Sequence, residues 1–219
     1  MADKIKAQVQ LPLFGYRLFY RDPMFDLDEL DEVAAKAAFL AFRQWNISLE
    51  NVTFKENAAN LAEEATNLSL LGGRITFSLN PGGCGILVVN PDWSEADLVI
   101  QIARAGIEAV LKATKAVADK QVASITMHLT PQTGTIGDIT SKFVRLDMNK
   151  LIGASALCFG FSVYRDDLMW VVDKSVSFQN SLFVRLDRSF RGGDPLEDIT
   201  HQLKDDESKL LDLLGLEVD

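Results

Sequence analysis

A chain of 219 residues, 47% apolar and 24% charged, is long enough for one large core or two small ones and has a globular composition. Its 31 acidic and 22 basic side chains leave a formal charge of −9 with no Lys/Arg run, which excludes nucleic-acid backbones and anionic membrane surfaces as partners. Two cysteines, Cys84 and Cys158, and two histidines, His128 and His201, supply neither a disulfide framework nor zinc spacing, so reduced thiols, no metal and no cofactor are expected.

The N-terminus, MADKIKAQVQ, lacks the apolar stretch of a secretory signal. The longest uncharged run, Leu151 to Tyr164, is too short for a bilayer. A cytoplasmic protein is expected. KIKAQVQLPLFGYRLFY alternates and is rich in aromatics, so it reads as a strand with a break near Pro12 and Gly15. A helix follows DPMFDLDEL, with Asp26 as N-cap and Glu29 in capping-box spacing. Leu30, Val33, Ala37, Leu40 and Ala41 form its apolar stripe, and it should end near Trp45 and Asn46. Val52 to Lys55 is a short strand. NAANLAEEATNLSLL is ambiguous, helical turn first and strand second, and Gly72-Gly73 breaks the chain. In RITFSLN, Ile75, Phe77 and Leu79 take the buried side.

The stretch NPGGCGILVVN raises the question of a phosphate loop. Such a loop needs a helix after it, whose N-terminal N–H groups point at the anion. Here the β-branched ILVV follows, and the loop has no lysine. The expectation is a hairpin connection whose glycines supply positive φ. Ser94 then caps a long helix running to about Lys120, with Val99, Ile102, Gly106, Val110 and Val117 on one stripe and Leu98, Ile107 and Leu111 widening it. QVASITMHLT is an alternating strand, with Ala123, Ile125, Met127 and Leu129 on one face and Ser124, Thr126, His128 and Thr130 on the other. PQTGTIGDIT reads as a loop. Strands are expected around Phe143 to Met148, Ala154 to Arg165, Leu168 to Lys174 and Val176 to Asp187, with Asp166-Asp167 at a turn. A last helix has Asp194 as cap and Pro195 at its first position, buries Leu196, Ile199, Leu203, Leu210 and Leu214, and ends at Gly215.

The fold class is therefore α+β: mainly antiparallel curved sheet packed against two long helices. The element order can be written twice, as two similar β-α-β4-α halves, 1–120 and 121–219, within one compact unit. A true repeat lies inside the second half, SKFVRLD at Ser141 to Asp147 and SLFVRLD at Ser181 to Asp187. In both copies Phe, Arg and Asp share a face, so Arg145, Asp147, Arg185 and Asp187 would make a charged ladder if the strands share a sheet. This order of elements is similar to folds in which a curved antiparallel sheet wraps around long helices, such as the duplicated saddle of TATA-binding proteins and the helix-grip domains. No sequence motif of either is present, so the resemblance is architectural and implies no function.

Candidate chemistry is sparse. Cys84 and His128 are the catalytic candidates as a thiol–imidazole pair, but nothing in the sequence joins them. Asp166-Asp167 has the chemistry of a cation site, yet turn propensity accounts for it. FDLDELDE is acidic because it starts a helix and lacks a calcium loop's spacing. Phe159, Phe161, Trp170 and Phe178 are expected on one face of the sheet, under the last helix or lining a pocket. The reading that follows is a non-catalytic protein acting on a protein partner or on its own copy, as a homodimer through sheet edges. The alternative is a helix-grip-like pocket that binds or transforms a small apolar molecule.

Overall fold

Alternation at the N-terminus produces one long strand. In the computed structural model, which describes residues 4–24, 33–55, 65–143 and 160–218, β1 (Ile5–Tyr20) continues through Pro12 and Gly15. Leu11 takes φ 46 beside the proline, so the expected break is a local distortion inside a continuous strand. The other strands are β2 (Val52–Lys55), β3 (Ala65–Leu70), β4 (Ile75–Asn80), β5 (Gly83–Val89), β6 (Ala118–Pro131), β7 (Phe161–Arg165), β8 (Leu168–Lys174), β9 (Leu182–Arg191) and β10 (Leu216–Val218). The α-helices among the described residues are α1 (Lys36–Phe42), α2 (Ala96–Thr114), α3 (Ile136–Thr140) and α4 (Leu196–Leu214). The sheet order is β2-β3-β4-β5-β1-β6-β9-β8-β7, and β10 pairs in parallel with the start of β1. The α+β class and the large, mainly antiparallel sheet are as expected.

The chain divides into two units. The first comprises Leu13–Ala123 and Ser189–His201; the second comprises Met1–Pro12, Ser124–Arg188 and Gln202–Asp219.

In the first unit, Ile75, Phe77 and Leu79 are buried as the alternation predicts, opposite Val88, Ile86 and Cys84 of β5. The PGGCG stretch is a hairpin connection, but its glycines serve another purpose than expected. None of Gly82, Gly83 and Gly85 has a positive φ. A Cβ on Gly83 would stand 2.1 Å from the Leu18 carbonyl oxygen, and one on Gly85 2.1 Å from that of Tyr16, so the glycines let β1 approach. The positive φ values fall instead at the break before β4, at Gly72 and Gly73.

Helix α1 ends where expected, through a 3-10 turn at Arg43–Trp45 and left-handed Asn46. Its buried stripe is not the expected one. Ala34, Ala35, Ala38 and Phe42 are buried, while Val33 and Leu40 are exposed. Gly106 of α2 makes room for Phe42 of this stripe: a Cβ there would meet the Phe42 ring at 2.5 Å and the Phe77 ring at 2.6 Å. The proposed start, Asp26 and Glu29, lies outside the described residues. Ser94 does not cap α2: it lies in a 3-10 turn, Trp93–Glu95, whose own cap is Asp92, accepting the Ser94 N–H at 2.8 Å. Helix α2 follows directly and stops at Thr114, before left-handed Lys115. The helical pattern expected to run on to Lys120 is already turning into β6, and Val117 is exposed. Buried Gln121 accepts the Tyr16 hydroxyl and donates to the carbonyls of Arg191 (2.6 Å) and Asp194 (3.0 Å). The Asp194 carboxylate accepts the Arg191 N–H at 2.9 Å.

In the second unit, β6 buries Ile125, Met127 and Leu129. The segment read as a loop contains α3. Thr135 and Asp138 form a capping box and Ile136 and Ile139 are buried, which the glycines of TGTIGDIT had obscured. Phe143 ends a 3-10 turn, Ser141–Phe143. The strand expected from there to Met148 otherwise lies outside the described residues, as does 154–159 of the next. Strand β9 begins at Leu182 rather than near Val176, which is fully exposed in the preceding segment. The Lys142 ammonium donates to the Leu214 carbonyl at 2.6 Å, at the end of α4, and desolvation lowers its pKa. Helix α4 buries Leu203, Leu210 and Leu214, and Gly215 ends it at φ 68. Asp206 stands in the same stripe, almost wholly buried, paired with Arg188 of β9.

Candidate binding face around His128

Because β6 buries Met127 and Leu129, His128 faces outward with Thr126 and Thr130. On β9, Val184 and Leu186 are buried, so Phe183, Arg185 and Asp187 share the outward side, as the FVRLD pattern predicts. The His128 ring packs edge-on against Phe178 (centroids 5.0 Å apart) and beside Phe183 (5.4 Å). Its Nδ1 lies 2.9 Å from the hydroxyl of buried Ser175. Strand register extends this face. Met169 sits between Tyr164 and Asp187, and Val171 between Ser162 and Arg185. Tyr164 is 72% exposed; Met169, Val171, Phe178 and Phe183 are partly exposed. Arg185 pairs with Asp187 at 2.7 Å, which raises the pKa of the guanidinium. Arg145 and Asp147, the other half of the expected ladder, lie outside the described residues.

The turn aspartate Asp167 is taken by Arg165 at 2.6 Å and Arg188 at 3.1 Å. The hydrogen bond from Arg165 holds its carboxyl below the usual range. Turn and ion-pair chemistry therefore employ this residue.

The aromatic candidates separate by register. Phe161 stands opposite fully buried Val172, and Trp170 stands between Val163 and buried Leu186, so both belong to the inward face. Phe143 packs its ring 4.7 Å from that of Phe161. The Trp170 indole N–H is buried and has no hydrogen-bond partner among the described residues. Phe178 is on the opposite face, beside His128. Phe159 lies outside the described residues.

The two catalytic candidates have different neighbours. Cys84 belongs to the first unit, 1% exposed, with the Tyr20 hydroxyl against its thiol. Burial pushes the thiol up to about 11, so it stays protonated at neutral pH and is a poor nucleophile. His128 belongs to the second unit and is engaged by Ser175. The first unit also holds an open cleft of about 610 Å³ lined by Gly72, Gly73, Arg74, Val89, Asn90, Asp92 and Glu95. Arg74 pairs there with Glu95, and Asp92 accepts the Ser94 N–H.

Ser175 and Ser181 escaped the sequence reading. They bond to His128 and Thr130 from 47 and 51 residues away, and a short polar segment gives no sign of such a contact. Among the described residues no group of three or more His, Cys, Asp or Glu side chains could hold a metal ion, and no helix is long and apolar enough to cross a membrane. Neither a protein-family model nor a curated protein matches the chain.

Proposed function

We propose that the protein acts by binding a protein, either a partner or its own copy, through the outward face that carries Tyr164, Met169, Val171, Phe183 and Phe178. The observation behind this reading is the alignment of aromatic, methionine and β-branched side chains, all partly or largely exposed, across adjacent strands. Such residues are enriched at interfaces, and a contiguous exposed set of them costs solvation free energy unless something covers it. The Arg185–Asp187 pair beside them is suited to the polar rim. In this reading the protein is cytoplasmic, and its sheet is curved over two long helices as two similar halves. The succession β1-α1-β2 to β5-α2, then β6-α3-β7 to β9-α4, supports that duplication.

A photo-crosslinking amino acid at Val171, with a control at exposed Glu108 of α2, tests the proposal in the cells that make the protein. A discrete protein adduct is expected at 171 and none at 108. An adduct of twice the chain mass identifies self-association, and any other mass a partner. No adduct at 171, or equal yields at both positions, overturns it.

A second reading has its own support: the unpartnered Trp170 N–H beside Phe161 and Val163 has the character of an apolar pocket with one donor. Thermal stabilisation by several lipophilic compounds bearing a hydrogen-bond acceptor, lost in Trp170→Phe, would favour this pocket over the outward face.

A further inference from the structure

The geometry points to the Ser175–His128 hydrogen bond as a proton-sensitive latch that holds the segment Ser175–Ser181 on the outward face of β6. The inference stands whether or not that face binds a protein.

The hydrogen-bond inventory at Ser175 fixes the direction of each bond. Its hydroxyl oxygen accepts the backbone N–H groups of Ser177 at 3.1 Å and Phe178 at 3.0 Å. Those two donors occupy its lone pairs, and the residue is only 2% exposed, so water does not replace them. The hydroxyl hydrogen therefore goes to His128 Nδ1, 2.9 Å away. Nδ1 can accept it only in a neutral imidazole that carries its proton on Nε2. Protonation puts a hydrogen on Nδ1. Two hydrogens then face each other across the contact, and Ser175 must give up either its bond to His128 or the backbone N–H groups of its own segment.

The rest of the segment does not titrate. Ser175 N–H bonds to the Ser181 carbonyl at 2.8 Å, closing the base. Ser181 hydroxyl donates to the Gln179 carbonyl (3.0 Å), and Thr130 contacts Ser181 at 2.6 Å while accepting from Gln10 at 3.0 Å. Asn180 accepts the Ile136 N–H at 3.1 Å and donates to the Gly134 carbonyl at 3.2 Å, so release of the segment would reach the start of α3. The charged groups on neighbouring elements are Arg185 of β9, already paired with Asp187, Asp173 of β8, which accepts the Lys174 N–H, and Lys6 at the start of β1. On β6 itself the outward neighbours are the neutral Ser124, Thr126 and Thr130.

NMR of the full-length protein tests this. The ring signals of His128 report its protonation, and the amides of Ser177 and Phe178, corrected for intrinsic exchange, report closure of the segment. Protection of the two amides should fall about tenfold in step with imidazole protonation, the factor expected for one lost buried hydrogen bond. His128→Asn places a non-ionising acceptor where Nδ1 stands and should keep both amides protected across the same pH range. Ser175→Ala should leave them unprotected throughout. Constant protection in the wild type while the imidazole titrates overturns the latch, as does wild-type pH dependence in His128→Asn. An imidazole that stays neutral down to acid unfolding overturns it too.

Discussion

Within the first unit, Cys84 and Tyr20 form a buried pair of weak acids. Burial raises the pKa of both, to about 11 for the thiol and further for the phenol, and the phenol is raised again by the neighbouring thiolate when it forms. Tyr16, bonded to Gln121, is raised by the same desolvation. Because each folded value lies above the unfolded one, the native protein retains protons that the unfolded chain has already released. The stability this represents is complete below about pH 9 and is lost as pH rises towards about 11 for Cys84, with the tyrosines extending the loss to higher pH. Urea unfolding from pH 8 to 11 should therefore show a progressive decline. In Cys84→Ala the decline should begin later, leaving only the tyrosine contribution. An unchanged onset in that variant would show that the thiol titrates the same way in both states. The same protonation argues that Cys84 plays a packing role, since a thiol held neutral neither attacks nor ligates.

At the level of elements, the docking of α4 on the sheet of the second unit combines an apolar stripe with one ion pair. Asp206 has a side chain 4% exposed, paired with Arg188 at 16%; Arg188 also reaches Asp167, and Lys209 approaches Asp206 at 3.8 Å. Removing one partner of a buried pair leaves an uncompensated charge, so Asp206→Asn should lower the unfolding free energy by about 3 kcal/mol, at the low end for such pairs because Asp167 remains with Arg188. The double variant Asp206→Leu/Arg188→Met should recover most of that loss. Urea midpoints at constant slope would measure both. If the double variant is no better than Asp206→Asn, the pair is contributing more than charge compensation. The leucine spacing of α4 was legible, yet the aspartate inside it was not, because its partner is on another element. The same limit explains α1, where Ala34, Ala35 and Ala38 carry little hydrophobic signal although they are buried, and where the room for Phe42 comes from Gly106 on another helix. It also explains the end of α2, where Lys115 turns left-handed with nothing in its side chain to announce it. The outward face was half legible: alternation assigned His128 and Phe183 to it, but only long-range contacts bring Phe178 and Ser175 beside them.

For the whole molecule, the succession of elements suggests a cut near Asp119 to Gln121, but the pairing of the chain argues that halves made there would not fold. That cut falls at the start of β6, three residues after Ala118 at most. A fragment 121–219 lacks Ile5, Lys6 and Ala7, the register partners of Leu216, Glu217 and Val218. It also lacks Lys4, which pairs with Asp212, and Gln10, which supports Thr130. A fragment 1–120 lacks Gln121, the partner of the buried Tyr16 hydroxyl, and Glu197, the partner of Arg104. Each fragment would expose unpaired strand edges and apolar side chains that the intact chain covers, which favours association or disorder over a native core. Separately, the two should show no cooperative unfolding transition by near-ultraviolet circular dichroism. Mixed in equal amounts they should regain the transition of the intact chain, because the missing strands are then supplied in trans. A cooperative transition in either fragment alone would make 120 and 121 a true folding boundary, and would mean that pairing at the ends of β1 adds stability without being required for folding.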